Sequence, residues 1–69
     1  MKLSARNVLK GKVLDVKKGA TTAHVRIELL GGAIITASIT NEAVEELKLS
    51  TGDEAYAVIK ASDVMVARD

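Results

Sequence analysis

Apolar and polar residues alternate along the first forty residues of the chain, a pattern typical of half-buried β-strands. It is clearest from Thr22 to Leu30, where every second residue is apolar: Ala23, Val25, Ile27 and Leu29. A strand-like stretch, Val8 to Lys17, precedes it, and another, Ala33 to Ile39, follows it. The pair Gly31-Gly32 predicts a hairpin turn that requires positive φ. Gly11 marks either a bulge or a close approach of another backbone.

The period changes from two to that of a helix at Thr40. Thr40 to Leu47 is predicted to be a short helix, with Thr40 as its N-cap and Glu42 in its first turn. Ala55 to Lys60 reads as a fourth strand, and a fifth is expected at Val64 to Ala67. Five strands with a short helix between the third and fourth is the order of an OB-type Greek-key barrel. We therefore predict an all-β, five-stranded OB-like barrel that forms a single domain over residues 1–69.

The size of the chain favours assembly with copies of itself. A domain of 69 residues is usually marginal alone and gains stability from disulfides, a structural metal or oligomerisation. The chain has no cysteine and one histidine, which removes the first two sources. Because 48% of its residues are hydrophobic, more than a small core can hold, we expect a homo-oligomer.

Charge and composition exclude several classes of function. A net charge of +1 provides no positive electrostatic potential strong enough to bind nucleic acid or an anionic membrane. No segment resembles a signal peptide or a membrane helix, so the cytoplasm is the expected location. No cysteine nucleophile, metal-ligand cluster or phosphate loop is present, and His24 is the only histidine. We expect neither enzymatic activity nor a cofactor or bound metal cation.

A set of hydrogen-bond donors remains, and its members are scattered along the chain. Ser4 and Arg6 precede the first strand, and Thr40 begins the helix, where free backbone N–H groups are expected at Glu42 and Ala43. Lys60, followed by Ala61 and Ser62, ends the fourth strand. Singly, each has an ordinary interpretation as a helix cap or a surface charge. Together they supply the elements of a site for a small oxyanion.

Four blocks of sequence resemble the molbindins, small proteins made of a single Mop domain that bind molybdate. The blocks are Ser4-Ala5-Arg6-Asn7 with Leu9-Lys10-Gly11-Lys12-Val13; Val16-Lys17-Lys18-Gly19 with Thr22-Ala23; Ser38-Ile39-Thr40 with Val44-Glu45-Glu46-Leu47; and Ala57 to Met65. They follow one another in a single register that covers almost the whole chain. The resemblance implies an OB-like barrel and a hexamer built as a trimer of dimers, used for molybdenum storage or homeostasis.

The resemblance also implies where the anion binds. It places one molybdate or tungstate ion between subunits, and the residues implied around it are Ser4, Arg6, Thr40, the backbone of Ala43, Lys60, Ala61 and Ser62. Many relatives carry Ser at the position of Ala43, so a hydroxyl contact is missing here. A second oxyanion site is implied at the turn formed by Gly19, Ala20, Thr21 and Thr22.

Two other functions stay open at this point. The first is a structural oligomerisation module without a specific anion. The second is an OB-type domain that binds nucleic acid. The second needs stacking aromatic side chains in a basic groove, and the chain has only Tyr56.

Overall fold

Alternation of apolar and polar residues produces four antiparallel strands in the computed structural model, which describes residues 1–69. The elements in chain order are β1 Asn7–Lys18, β2 Thr22–Leu29, β3 Ile34–Thr40, α1 Asn41–Leu47, β4 Glu54–Ile59 and a 3-10 turn Ala61–Asp63. The strands form one sheet in the order β3-β2-β1-β4, with the helix after the third strand as predicted.

The core is small and lies on one face of the curled sheet. In β2, Ala23, Val25 and Ile27 are buried, whereas the residues between them are exposed. Val13 of β1, Ala57 of β4 and Val44 of α1 complete a core of 6 buried residues. Because strands that are not neighbours in the sheet contribute to one cluster, the sheet curls around it, and the helix covers one end.

β1 is the central strand, and Gly11 lies where its two pairings overlap. β1 pairs with β4 through Asn7 to Lys12 and with β2 through Gly11 to Lys18. A Cβ atom on Gly11 would lie 2.5 Å from the carbonyl oxygen of Glu28. Of the two interpretations of Gly11, close backbone approach is therefore confirmed. The irregularity in the pairing with β2 lies instead between Val13 and Asp15.

The turns and the helix cap follow their residue types. Gly31 and Gly32 adopt φ values of 95° and 96°, the left-handed region that favours glycine. The hydroxyl oxygen of Thr40 accepts a hydrogen bond of 3.0 Å from the backbone N–H of Ala43, which confirms Thr40 as the N-cap.

The predicted fifth strand is absent, so the five-stranded barrel is wrong for the single chain. Val64 to Ala67 forms no regular structure, and Val64, Met65 and Val66 are 49%, 93% and 93% exposed. A segment of strand-like composition forms a strand only where a neighbouring strand offers hydrogen-bond partners. Within the chain no strand pairs with this segment, so the sheet has four strands and two edges, β3 and β4.

An apolar groove of about 750 Å³ opens between these two edge strands. Its walls include alternate residues of each strand: Ile35, Ala37 and Ile39 of β3, and Ala55, Ala57 and Ile59 of β4. A sheet that curls without closing leaves this face open. The protein contains no helix that is long and apolar enough to cross a membrane.

Candidate functional site

The pairing of β1 with β4 brings Arg6 and Lys60 to the same end of the sheet. Asn7 and Ile59 are the last register partners of β1 and β4 at this end of the sheet. The side-chain amide of Asn7 also donates to the carbonyl oxygen of Ile59 at 3.1 Å. Arg6 and Lys60 directly adjoin this pair, although 54 positions separate them in the sequence. We call Ser4, Arg6, Lys60, Ala61 and Ser62 the cation cluster.

The two cationic side chains of this cluster have no carboxylate partner. The three ion pairs of the chain are Lys10–Glu54, Lys18–Glu45 and Arg26–Asp15. Arg6 and Lys60 are both exposed and take part in none of them. Two positive charges at one end of the sheet repel each other, and an anion that accepts from both relieves that repulsion. The cluster is therefore suited to an anion with several acceptor oxygens.

Thr40 lies at the opposite end of the sheet and has a different set of neighbours. It is the register partner of Thr22, the last residue of the Gly19–Thr22 turn. The backbone N–H of Ala43 is not free, because it already donates to Thr40. This corrects the expectation of a free donor there. The hydroxyl of Thr40 accepts that bond and keeps its own hydrogen for another acceptor.

The turn proposed as a second oxyanion site lies against the start of the helix. Asn41 donates from its backbone N–H to the carbonyl oxygen of Thr21 at 2.9 Å and from its side-chain amide to that of Gly19 at 3.0 Å. Gly19 donates in turn to the carbonyl oxygen of Thr22 at 2.7 Å. Thr21, Thr22 and Thr40 are thus neighbours, and we call them the threonine cluster. Asn41 is not recognisable as a site residue from local sequence, because its side chain contacts Gly19, 22 positions earlier in the chain.

The two clusters lie too far apart to surround one anion within a single chain. They adjoin opposite ends of β1, whose twelve residues give the strand a contour length of about 36 Å at about 3.3 Å per residue. An oxyanion accepts hydrogen bonds only from donors within about 3 Å of its oxygens. We therefore expect the cation cluster and the threonine cluster to share an anion only when they belong to different chains.

The ion pair between Arg26 and Asp15 lies outside both clusters. The guanidinium of Arg26 donates from Nε to both carboxylate oxygens of Asp15, at 3.2 and 3.0 Å. This hydrogen bonding lowers the pKa of Asp15 below its ordinary value and raises that of Arg26. Because the two residues are register partners, the contact joins β1 to β2. No group of three or more His, Cys, Asp or Glu residues is arranged to hold a metal ion.

Comparison with known proteins finds a family and close relatives. The TOBE domain family matches residues 3–66. Molybdenum-pterin-binding protein 1 of Clostridium pasteurianum is 53% identical over 66 residues, which cover 96% of this chain and 97% of that protein. The structure of MopII from the same organism superimposes with a TM-score of 0.91 at 49% identity, covering 97% of this chain and all of that one. A molybdate-binding protein from Sporomusa ovata gives a TM-score of 0.93 at 34% identity, covering 99% and 100%.

Proposed function

The chain belongs to the TOBE domain family, and we propose that it binds molybdate between the subunits of a homo-oligomer. Its relatives are molybdenum-pterin-binding and molybdate-binding proteins, not enzymes. The observation that carries the proposal is the division of the candidate donors into two clusters at opposite ends of one sheet. A site that uses both clusters needs two chains, so the anion links neighbouring subunits.

The chemistry of the two clusters supports a tetrahedral dianion. Molybdate offers four acceptor oxygens and no donor, so a matching site supplies donors only. The cation cluster supplies two positive charges, from Arg6 and Lys60, together with the hydroxyls of Ser4 and Ser62. Thr40 of a second chain adds the free hydrogen of its hydroxyl. Charge-assisted hydrogen bonds of this kind are about twice as strong as neutral ones.

Features of the single chain support its assembly with further copies. The core holds only 6 buried residues, and an apolar groove stays open between β3 and β4. Val64, Met65 and Val66 present apolar side chains to solvent. A second copy that covers these surfaces would bury them. This burial stabilises a small domain that has neither a disulfide nor a structural metal. We propose a hexamer arranged as a trimer of dimers, acting in the cytoplasm in molybdenum storage or buffering.

The size and protonation of the anion set the proposed selectivity. Molybdate and tungstate share shape and charge, so a site made of donors binds both. Sulfate is smaller, and a rigid ring of donors does not contract onto it. Phosphate carries at least one proton near neutral pH, and that proton would face another donor. Equal heats and affinities for molybdate and sulfate in titration calorimetry would contradict this selectivity.

The direct test removes one charge from the cation cluster. In Lys60→Ala, the loss of a charge-assisted hydrogen bond of about 1.5–3 kcal/mol should lower molybdate affinity at least about tenfold. Titration calorimetry measures this change. Lys12→Ala is the matched control, because Lys12 is an exposed lysine of β1 without an ion pair and outside both clusters. If Lys60→Ala binds as tightly as the parent, Lys60 is not a ligand.

A structural oligomerisation module is the alternative favoured by the apolar groove and the exposed tail. Native mass spectrometry with and without molybdate separates the two functions, since it gives subunit number and bound anions together. An oligomer that retains no molybdate, and whose melting temperature molybdate does not raise, would support the alternative. Nucleic-acid binding is disfavoured, and a fluorescence titration with single-stranded DNA should give no signal.

A further inference from the structure

Asn41 holds the Gly19–Thr22 turn by two carbonyl groups at once. Its backbone N–H donates to the carbonyl oxygen of Thr21, and its side-chain amide donates to the carbonyl oxygen of Gly19. The carbonyl oxygens of Gly19 and Thr21 are thereby directed toward Asn41, and that of Thr22 accepts from the backbone N–H of Gly19. The backbone N–H groups of Ala20 and Thr21 donate to no other group of the chain, and both residues are exposed. These two N–H groups are therefore available to a ligand.

This arrangement leaves one polar atom of the Asn41 side chain without a hydrogen-bond partner. Its Oδ1 atom is buried and has no hydrogen-bond partner, the only such side-chain atom in the chain. A buried acceptor without a partner destabilises the folded state. This cost is at least as large as the stability gained from one exposed hydrogen bond such as that from the Asn41 amide to Gly19. The cost of the unpaired Oδ1 atom therefore offsets the stability gained from the hydrogen bond to Gly19. Geometry, rather than stability, is what this residue supplies.

We propose that Asn41 is a positioning residue for oxyanion binding, which keeps the carbonyl oxygens of Gly19 and Thr21 away from the anion and leaves the N–H groups of Ala20 and Thr21 available beside Thr40. This inference rests on the proposed function and adds a residue that touches no anion. Without the amide, the carbonyl oxygen of Gly19 loses its donor and is free to turn outward. An outward carbonyl next to the threonine cluster repels an anion, because both carry negative charge on oxygen.

The test compares binding and stability in Asn41→Ala. Molybdate affinity measured by calorimetry should fall about tenfold, in the range seen when a residue that supports an ion's ligands is lost. The urea midpoint, measured at the same protein concentration, should stay unchanged or rise, because the buried orphan acceptor is removed as well. Asn41→Asp should lower affinity further, since it replaces the amide donor with a charged acceptor of nearly the same shape.

Asp53→Ala is the matched control, because it removes a single side-chain contact to the backbone of another turn. The carboxylate of Asp53 accepts from the backbone N–H of Ser50 at 3.0 Å, away from both clusters. This variant should lose stability and keep the parental affinity. If Asn41→Ala keeps the parental affinity while the parent binds, or loses affinity only in proportion to stability, the positioning role is wrong. If the parent itself binds no molybdate, the proposed function and this inference both fail.

Discussion

Two variants that bind molybdate poorly on their own should restore binding when their subunits are mixed. Lys60→Ala removes a charge from the cation cluster. Thr40→Asp removes the hydroxyl donor at the far end of the sheet and places a negative charge there. Asp is as good an N-cap as Thr, so the bond from Ala43 that begins the helix is kept. Each variant should therefore fold and assemble but bind weakly.

The expected recovery follows from the separation of the clusters along β1. In a hybrid pair of subunits, the intact Lys60 of one chain meets the intact Thr40 of the other at one of the two equivalent sites. The remaining site carries both defects. Random mixing makes about half of the pairs hybrid, so about one quarter of all sites are restored in a two-fold arrangement. The restored sites should have the affinity of the parent protein.

Co-refolding the two variants from urea at equal concentrations, followed by calorimetry, measures this stoichiometry. The control mixes Lys60→Ala with Arg6→Ala, which damage the same cluster, so every site keeps one defect and no recovery is expected. Zero recovery from the first mixture would show that one chain supplies all of the ligands, against the geometry. Recovery from the control mixture would show that Arg6 and Lys60 reach one site from different chains.

Two further predictions concern the scaffold that holds the clusters. Gly11→Ala places a Cβ 2.5 Å from the Glu28 carbonyl oxygen, so the free energy of unfolding should fall by about 1–3 kcal/mol. The melting temperature should fall by about 4–8 °C for each kcal/mol lost. An unchanged melting curve would contradict the close approach. The folded-state pKa of Asp15 is lowered by Arg26, so this contact stabilises the fold above the ordinary carboxyl pKa of 3.8 and is lost as pH falls below it. Asp15→Asn should reduce the loss of stability between about pH 5 and pH 2, measured as urea midpoints.

The local patterns of the sequence predict most of the fold, because they depend on neighbouring residues. Alternation over Thr22 to Leu29 requires one buried face, and the structure buries it. A Thr before a helical stretch is a strong N-cap signal, confirmed at Thr40. The fifth strand fails for the opposite reason. Val64 to Ala67 has a strand-like composition, but a strand also needs a pairing partner, which local composition does not supply.

The candidate site shows the same division between local and long-range information. Residue types alone identified Ser4, Arg6, Thr40 and Lys60 as donors, but not which of them are neighbours. That depends on the register between β1 and β4, which no local pattern encodes. The bond that removes the Ala43 N–H from the set of free donors is a consequence of the same cap that the sequence predicted. Recognising a cap and counting free donors are therefore separate steps.

The pairing of Asn7 with Ile59 also has a consequence for folding. β1, β2 and β3 follow one another directly in the chain, so they form by closing short loops, whereas the contact from Asn7 to Ile59 joins residues 52 positions apart. Closing a longer loop costs more chain entropy, and contacts of large sequence separation form slowly. Arg6 and Lys60 become neighbours only through this distant pairing, so an unfolded chain presents no such cluster. An anion bound there selects the folded chain and should slow its unfolding.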